Sequence, residues 1–185
     1  MTQFNLLGIS GSLRQGSFNR QLIREAARLA EDPAFTEADI DLPLYNGDVE
    51  ETDGIPAKVQ VLADQIAAAD AVVIATPEYN QSFSGVLKNA LDWVSRTEGA
   101  PWKGKPVAIV SAAAGRAGGA RAQYALRLAM TPFRPRLLMG PEVMVAAAQD
   151  QFTDGRLAEG EVYERTLKVL MKLLKAEADM VAAAN

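Results

Sequence analysis

Apolar and polar positions divide the chain into short apolar runs and longer stretches with helical spacing. The clearest apolar runs span five or six residues, which is typical of parallel strands that are buried on both faces. The predicted strands are Phe4–Ile9, Ala71–Ala75 and Pro106–Ser111, with weaker strand signals over Phe35–Leu42 and in the segments 136–139 and 142–145.

The stretches between the strands repeat apolar residues every three or four positions, as helices do. The predicted helices run from about Asn19 to Ala30, from Ile55 to Asp70, from Gly85 to Arg96, from Ala120 to Met130 and from Leu157 to Ala183. The first helix is expected to turn its charged side chains to solvent, namely Arg20, Arg24, Glu25 and Arg28. The apolar face of the last helix is expected to contain Val162, Leu167, Leu170 and Leu174.

Strands that alternate with helices predict right-handed crossovers and a parallel sheet with helices on both faces. About five strands suit the flavodoxin-like order 2-1-3-4-5, a three-layer α/β sandwich in which ligands bind at the carboxyl ends of the strands. Three polar or glycine-rich segments follow strands one, three and four. They are loop one (residues 10–19), loop two (76–84) and loop three (111–119). We expect all three loops to meet in one site.

Loop one combines glycine, serine and arginine between a strand and a helix. Such a loop forms an anion site, because backbone N–H groups and the positive end of the helix dipole point into it. The side-chain donors of this loop are Ser10, Ser12, Arg14, Ser17 and Asn19. A guanidinium can bind two phosphate oxygens at once. We therefore predict a site for one terminal phosphate.

Other phosphate motifs fit loop one less well. Residues 11–17 have the spacing of a nucleoside-triphosphate loop, but Ser17 stands where that motif requires lysine. Gly8, Gly11 and Gly16 do not have the G-x-G-x-x-G spacing of a dinucleotide site. The remaining alternative is a plain strand-to-helix turn in which a serine caps the helix.

Composition narrows the function further. The length of 185 residues, 49% of them hydrophobic, suits one domain over residues 1–185. A net charge of −4 argues against general nucleic-acid binding. No apolar stretch approaches the roughly 20 residues of a membrane span, and no basic segment precedes the first apolar run as in a secretory signal. With no cysteine, the chain is expected in the cytoplasm, without nucleic-acid or membrane partners.

The chain also has no histidine. A Ser-His-Asp triad is therefore excluded, and Ser10 is not expected to be a nucleophile. Without histidine or cysteine we expect no metal site. An enzyme of this composition either uses carboxylates and lysines or lets a cofactor supply the chemistry, and we favour the cofactor.

Loops two and three add features that suit a flat ring. Loop two contains a proline turn, Pro77-Glu78-Tyr79-Asn80, with an aromatic ring and backbone amides. Loop three is rich in alanine and glycine, so its backbone can approach a ring edge closely. A flat ring with a phosphate a ribityl chain away fits FMN. The alternative for residues 77–80 is a surface turn, since proline and asparagine are common in turns.

Three segments resemble the NADPH-dependent FMN reductase family, in particular its chromate and quinone reductase branch. They are Gly8-Ile-Ser-Gly-Ser-Leu-Arg-Gln-Gly-Ser-Phe-Asn19, Thr76-Pro-Glu-Tyr-Asn80 and Gly85-Val-Leu-Lys-Asn-Ala-Leu-Asp-Trp-Val-Ser95. The similarity runs from about residue 4 to residue 146. It implies bound FMN and NADPH or NADH as co-substrate.

The resemblance implies cofactor contacts in each loop. In loop one the cofactor-binding residues are expected to be Ser10, Ser12, Leu13, Arg14, Ser17, Phe18 and Asn19. The isoalloxazine is expected to lie between residues 77–80 and a second set, Ser111, Ala112 and Gly115. In the family branch, the position of Ala112 or Ala113 often carries serine. Because both residues are alanine here, no side-chain hydrogen bond to the ring is expected from these two positions. No side chain is expected to be catalytic, because the flavin N5 accepts the hydride.

The resemblance also implies a homodimer or homotetramer. Between dimers it implies a polar network of Arg121, Tyr124 and Glu142, for which the alternative is a solvated helix face. The helix Gly85–Arg96 is expected to pack in part against a second copy and complete each flavin site, with core packing as the alternative. Arg96 and Trp102 are candidate residues at the rim of the site.

The leading interpretation is an enzyme that passes hydride from NAD(P)H through FMN to quinones or other small acceptors. Chromate, azo compounds and free flavin are further candidate acceptors. The alternatives are a flavodoxin-type electron carrier that does not oxidise pyridine nucleotides, and a binding module without turnover. The sequence leaves open whether FMN stays bound and which nucleotide is preferred, since Arg14, Arg116 and Arg121 could each contact a 2′-phosphate.

Overall fold

The computed structural model describes residues 3–30 and 32–184, in which strands and helices alternate. The strands are β1 (Asn5–Ser10), β2 (Ala34–Glu37), β3 (Ala71–Thr76), β4 (Pro106–Ala112), β5 (Arg136–Leu137), β6 (Val143–Val145), β7 (Phe152–Thr153) and β8 (Arg156–Leu157). The helices are α1 (Phe18–Leu29), α2 (Gly47–Asp53), α3 (Ala57–Ala68), α4 (Gly85–Val94), α5 (Ala120–Met130) and α6 (Val162–Ala184). Short 3₁₀ turns cover Thr131–Phe133 and Ala148–Asp150.

The main sheet has the strand order β2-β1-β3-β4-β5, and all of its pairs are parallel. This confirms the predicted flavodoxin-like order. The expected fifth strand consists of two short strands. β5 pairs with the start of β4, where Leu137 lies opposite Val107, and β6 pairs with its end, where Val143 lies opposite Val110.

Helices cover both faces of this sheet, which confirms the three-layer arrangement. Neighbouring residues of a strand point to opposite faces. Leu6 and Val73 pack in a core cluster with residues of α1 and α6. Leu7 and Ile74 pack in a second cluster with residues of α3, α4 and α5. The central strands are therefore apolar throughout because both of their faces are buried.

The segment after β2 differs from the prediction of a strand to Leu42. β2 ends at Glu37, and the chain then continues without regular structure to α2. This segment is held by hydrogen bonds to side chains of α4 and not by pairing with a strand. Asn89 Nδ2 and Trp93 Nε1 donate to the carbonyl of Pro43 at 2.9 and 2.7 Å, and Asn89 Oδ1 accepts from the N–H of Tyr45 at 2.9 Å. Such long-range hydrogen bonds leave no periodic signal in the sequence. The sequence pattern also does not predict helix α2.

The prediction that Glu25 faces solvent is wrong. Its side chain is buried and accepts two hydrogen bonds of 2.9 Å from Arg28, and a third from the N–H of Leu157 at 3.2 Å. Arg28 also binds Glu164 of α6 at 3.0 Å. A hydrogen bond from the N–H of Gly160 and the Arg28 guanidinium hold the pKa of Glu164 below its ordinary value. Glu25 can therefore be buried because Arg28 forms an ion pair with its carboxylate.

The last helix begins later than predicted. The small β7–β8 hairpin occupies the residues before it, and α6 starts at Val162. Leu167, Leu170 and Leu174 are buried, but Val162 is 55% exposed and does not share their buried face, whereas the sequence places all four on one apolar face. No helix in the described part of the chain, α6 included, is both long and apolar enough to cross a membrane.

Candidate active site

Loops one, two and three meet at the carboxyl edge of the sheet and line a cleft of about 350 Å³. Loop one contributes Ser12, Arg14, Ser17, Phe18 and Asn19. Loop two contributes Pro77, Glu78 and Tyr79. Loop three contributes Ala112 to Gly115 and Ala117 to Gly119. The predicted convergence of three loops is therefore present in the structure.

Loop one lies directly against loop two at Gly11. The N–H of Gly11 donates to the carbonyl of Ala75 at 2.7 Å. A Cβ at this position would lie 3.1 Å from Ser84 Oγ and 3.3 Å from Pro77 Cδ. A larger residue would push the two loops apart, so glycine allows the close approach.

The start of α1 carries the serine, arginine and backbone donors from which the sequence predicts an anion site. Ser17 is the N-cap, and its hydroxyl accepts from the N–H of Asn19 at 3.2 Å. The Ser12 hydroxyl accepts from the N–H of Arg14 at 3.4 Å, and the Arg14 side chain forms no ion pair among the described residues. The serine-cap alternative is therefore also correct, but capping does not oppose anion binding, since the cap leaves other amides and the helix dipole available. These donors fit a phosphate group.

Asn19 joins loop one to loop three. Its Nδ2 donates to the carbonyl of Ala112 at 2.9 Å, and its Oδ1 accepts from the N–H of the same residue at 2.9 Å. Both groups are buried. The amide predicted as a phosphate ligand thus has one N–H left for a ligand, and its main contacts fix the distance between the two loops.

Loop two is a tight turn anchored to α5. Tyr79 and Ser82 exchange backbone hydrogen bonds of 2.9 and 3.1 Å, and the two residues between them, Asn80 and Gln81, have positive φ angles of 50° and 66°. Positive φ at both central positions is the geometry of a type I′ turn. The turn presents Tyr79, which is 53% exposed, beside the cleft, whereas Asn80 does not line it.

Glu78 connects this turn to the helix after loop three. Its carboxylate accepts from the N–H groups of Arg121 and Ala122 at 3.1 and 3.4 Å, and it forms an ion pair with the Arg121 guanidinium at 3.6 Å. A negative charge at a helix N-terminus is favourable. Because Glu78 is occupied in this way, its side chain fixes loop two against α5.

Loop three takes its shape from buried residues beneath it. The Ser111 hydroxyl donates to the carbonyl of Gly118 at 2.5 Å and accepts from Gln123 Nε2 at 2.8 Å. Gln123 Nε2 also donates to the carbonyl of Val143 at 2.8 Å. Gly118 and Gly119 have φ angles of 59° and 92°. Ser111 is therefore a support of the loop, and it does not line the cleft.

Close packing explains why two glycines stand at the end of loop three. A Cβ at Gly118 would overlap the Met144 carbonyl and lie 2.5 Å from its carbon. A Cβ at Gly119 would lie 2.7 Å from the Cβ of Ser111. In the sequence, the Gly-Gly pair could have indicated that the backbone of loop three packs closely against its neighbours. No sequence feature indicated that Gln123 supports the loop.

Several predicted site residues lie outside the cleft lining. Ser10 is buried and its hydroxyl donates to the carbonyl of Ser12 at 3.4 Å, Leu13 is exposed, and neither residue lines the cleft. The rim assignment of Trp102 is wrong, because this residue is buried in the core with α4. Arg96 is exposed and pairs with Glu50 at 3.0 Å.

Helix α4 uses its apolar stripe inside its own chain. Leu87, Leu91 and Val94 are buried in the core cluster with α3 and α5, and Trp93 is also buried. The core-packing alternative is therefore correct for this stripe. A contact of α4 with a second copy would have to use the opposite face, which carries Lys88.

The fold and the cleft define an α/β protein of the flavodoxin type with a three-loop cleft at the carboxyl edge of its sheet. Residues 4–150 match the family model described as NADPH-dependent FMN reductase. The chain therefore belongs to that family. FMN is its cofactor, NAD(P)H its co-substrate, and its activity is that of an oxidoreductase.

Individual relatives agree with this assignment. An NAD(P)H-dependent FMN reductase of Pseudomonas aeruginosa is 48% identical over 171 residues, which cover 91% of this chain and 92% of that protein. A quinone reductase of Escherichia coli is 43% identical over 154 residues, covering 80% and 81%. The solved structure of FerB, a flavoenzyme NAD(P)H:(acceptor) oxidoreductase from Paracoccus denitrificans, has a TM-score of 0.78 and 35% identity, covering 95% of this chain and 96% of FerB. These names favour the enzyme interpretation over the electron carrier and the binding module.

Proposed function

We propose that this chain passes hydride from NADPH or NADH through FMN to quinones, with the FMN phosphate on loop one and the isoalloxazine between loops two and three. The observation that carries the proposal is that Arg14, whose guanidinium has no ion-pair partner among the described residues, lies in the same cleft as an alanine- and glycine-lined surface. When bound, FMN supplies the hydride-accepting N5 atom and transfers its electrons onward.

The phosphate contacts follow from the free donors of loop one. Ser12 and Ser17 place hydroxyls in the cleft, and Arg14 adds a positive charge that a dianionic phosphate requires. The backbone N–H of Phe18, in the first turn of α1, has no partner among the described residues. These groups bind and orient the phosphate end, and Asn19 keeps loop three at a fixed distance from it.

The ring contacts are mainly backbone contacts. The N–H groups of Ala114 and Gly115 have no acceptor in the described part of the chain. Preorganised N–H donors at a ring edge stabilise the negative charge that develops when a flavin is reduced. Since Glu78 is engaged with α5, no side chain of the cleft is assigned as an acid or base.

The exposed surface of α5 supports assembly into dimers or tetramers. Tyr124 and Leu128 lie one turn apart on this helix and are 56% and 75% exposed, and Arg121 lies one turn before Tyr124. We assign Arg121, Tyr124 and Glu142 to the contact between dimers. The chain has no cysteine, which supports a cytoplasmic location. Chromate, azo compounds and free flavin are further proposed acceptors.

Oxidation of NADPH and NADH at 340 nm by FMN-loaded protein tests the proposal, with and without benzoquinone. Quinone-dependent turnover is expected, and the two nucleotides are ranked in the same series. Protein without added FMN is the control. Bound flavin without nucleotide oxidation would instead support an electron carrier. Failure to bind FMN at all would contradict both.

A further inference from the structure

Helix α6 has two apolar faces. The inner face packs on α1 and the sheet through Leu167, Leu170 and Leu174. The second face lies on the solvent side, where the apolar side chains are 47–57% exposed, and it contains Val162, Val169, Leu173 and Met180. A surface helix ordinarily has one apolar stripe with polar residues opposite. The second apolar face therefore requires a separate explanation.

The exposed apolar residues follow a heptad spacing. Starting at Val162, alternating steps of four and three residues lead along the helix through Thr166, Val169, Leu173, Ala176 and Met180. We call these six residues the outer stripe. Alternation of four and three is the spacing of the contact positions in a coiled coil. It continues along nearly the whole of α6, which ends at Ala184.

Charges beside the outer stripe differ between its two ends. Arg165 and Lys172 lie along the first two thirds of the helix, and Asp179 lies on the same side near its end. The Asp179 side chain forms an ion pair with Lys175 at 2.8 Å but is 64% exposed, so it can accept a second cation. Two outer stripes that meet antiparallel would place each Arg165 near an Asp179, and would also oppose the two helix dipoles favourably.

We propose that the outer stripe is an interface between two copies of this chain, with their α6 helices antiparallel across a two-fold axis. The register that buries most of the stripe sets Val169 against Leu173, Thr166 against Ala176, and Val162 against Met180 of the second copy. It brings the two Lys172 residues together at the axis, and the two Arg165–Asp179 contacts offset that repulsion.

This surface differs from the contacts assigned to α5, and none of its residues lines the cleft. The interface therefore adds a contact between copies without supplying a residue to the flavin site. Assembly through α6 and activity at the cleft should respond to different substitutions.

Sedimentation velocity of the FMN-loaded full chain tests the interface. The double substitution Val169→Glu with Leu173→Glu is expected to halve the number of chains in the assembly, because four carboxylates would enter one apolar contact. Ala182→Glu is the matched control, since Ala182 is also exposed on α6 but lies outside the outer stripe. Turnover per bound FMN should be equal in both variants and the unchanged chain. Identical sedimentation of all three proteins would overturn the proposal.

Disulfide cross-linking tests the orientation, and the absence of native cysteine removes any background. Thr166→Cys and Ala176→Cys are made singly and together. The two sites are about 15 Å apart along one helix, so they cannot join within a chain. Covalent dimers are expected from the double variant and not from either single variant. Dimers from each single variant would indicate a parallel contact, and no dimers from any variant would exclude the contact; either result overturns the proposal.

Discussion

Loop one and loop three line the same cleft but are built in opposite ways. Loop one places free side-chain donors in the cleft, with Arg14 and Ser12 as its clearest examples. Loop three presents alanine and glycine, and its shape is set from beneath by Ser111 and Gln123. Loop one thus presents side-chain donors to the cleft, and loop three presents a backbone that buried residues hold in place. Changes in loop three should reduce stability and flavin affinity together, whereas removal of the side chains that loop one places in the cleft without a partner loop, Ser12 and Arg14, should reduce affinity alone.

The largest effect is expected from Gly118→Ala in loop three. The new Cβ would overlap the Met144 carbonyl at a residue with a φ angle of 59°. Overpacking and an unfavourable φ together should lower the free energy of unfolding of the flavin-free protein by about 3 kcal/mol or more. Chemical denaturation measures this loss, and FMN affinity should fall with it.

Gly16→Ala in loop one is the matched control. A Cβ at Gly16 would meet no atom within 4 Å, and its φ is not positive. The same substitution should change stability by no more than about 0.5 kcal/mol. Equal losses at Gly118 and Gly16 would show that the two loops are not built differently.

The next largest loss of stability is expected from a substitution at Asn19, which connects loop one to loop three. Asn19→Ala removes two hydrogen bonds of 2.9 Å and leaves the buried N–H and carbonyl of Ala112 without partners. The expected loss of stability is about 2–3 kcal/mol. Ser12→Ala, in the same loop but without such a connection, should leave stability within about 0.5 kcal/mol of the unchanged chain. Thermal unfolding of both flavin-free variants provides the comparison.

A smaller effect is expected from the support beneath loop three. Ser111→Ala should lower the free energy of unfolding by about 1–2 kcal/mol, since it removes the hydrogen bonds to Gly118 and Gln123. Gln123→Met should cost less, because it also removes the side-chain oxygen of Gln123, which is buried without a partner among the described residues. The effects of substitutions in one hydrogen-bond network are not additive. The double variant should therefore lose less stability than the sum of the losses in the two single variants. Strict additivity would contradict a single network.

Much of the fold could be predicted because its signals are local. The apolar runs of β1, β3 and β4 and the helical spacing between them predict a parallel sheet, and glycine and proline mark the loops. The glycine-rich loop one predicts the phosphate site for the same reason. These features depend on residue type and spacing, which the sequence shows directly.

The remaining features depend on contacts between distant residues. Asn19 looked like a phosphate ligand, and only the structure shows that its amide binds Ala112, which lies 93 residues away. Glu25 looked exposed because folding brings the N–H of Leu157, which lies 132 residues away in the chain, onto its carboxylate. Gln123 gave no signal at all. The structural roles of polar residues whose partners are remote in the chain therefore cannot be predicted from residue type and spacing.

The central claim is that the FMN phosphate binds at Arg14, and comparison of FMN with riboflavin tests it most directly. Riboflavin has the same ring and ribityl chain but no phosphate. Equilibrium titration by flavin fluorescence is carried out with the unchanged chain, Arg14→Ala and the neighbouring control Gln15→Ala. Arg14→Ala should weaken FMN binding by about 1.5–3 kcal/mol, roughly 10- to 150-fold, with riboflavin affinity unchanged. Equal losses for both flavins, or no loss for FMN, would contradict the placement of the phosphate on loop one.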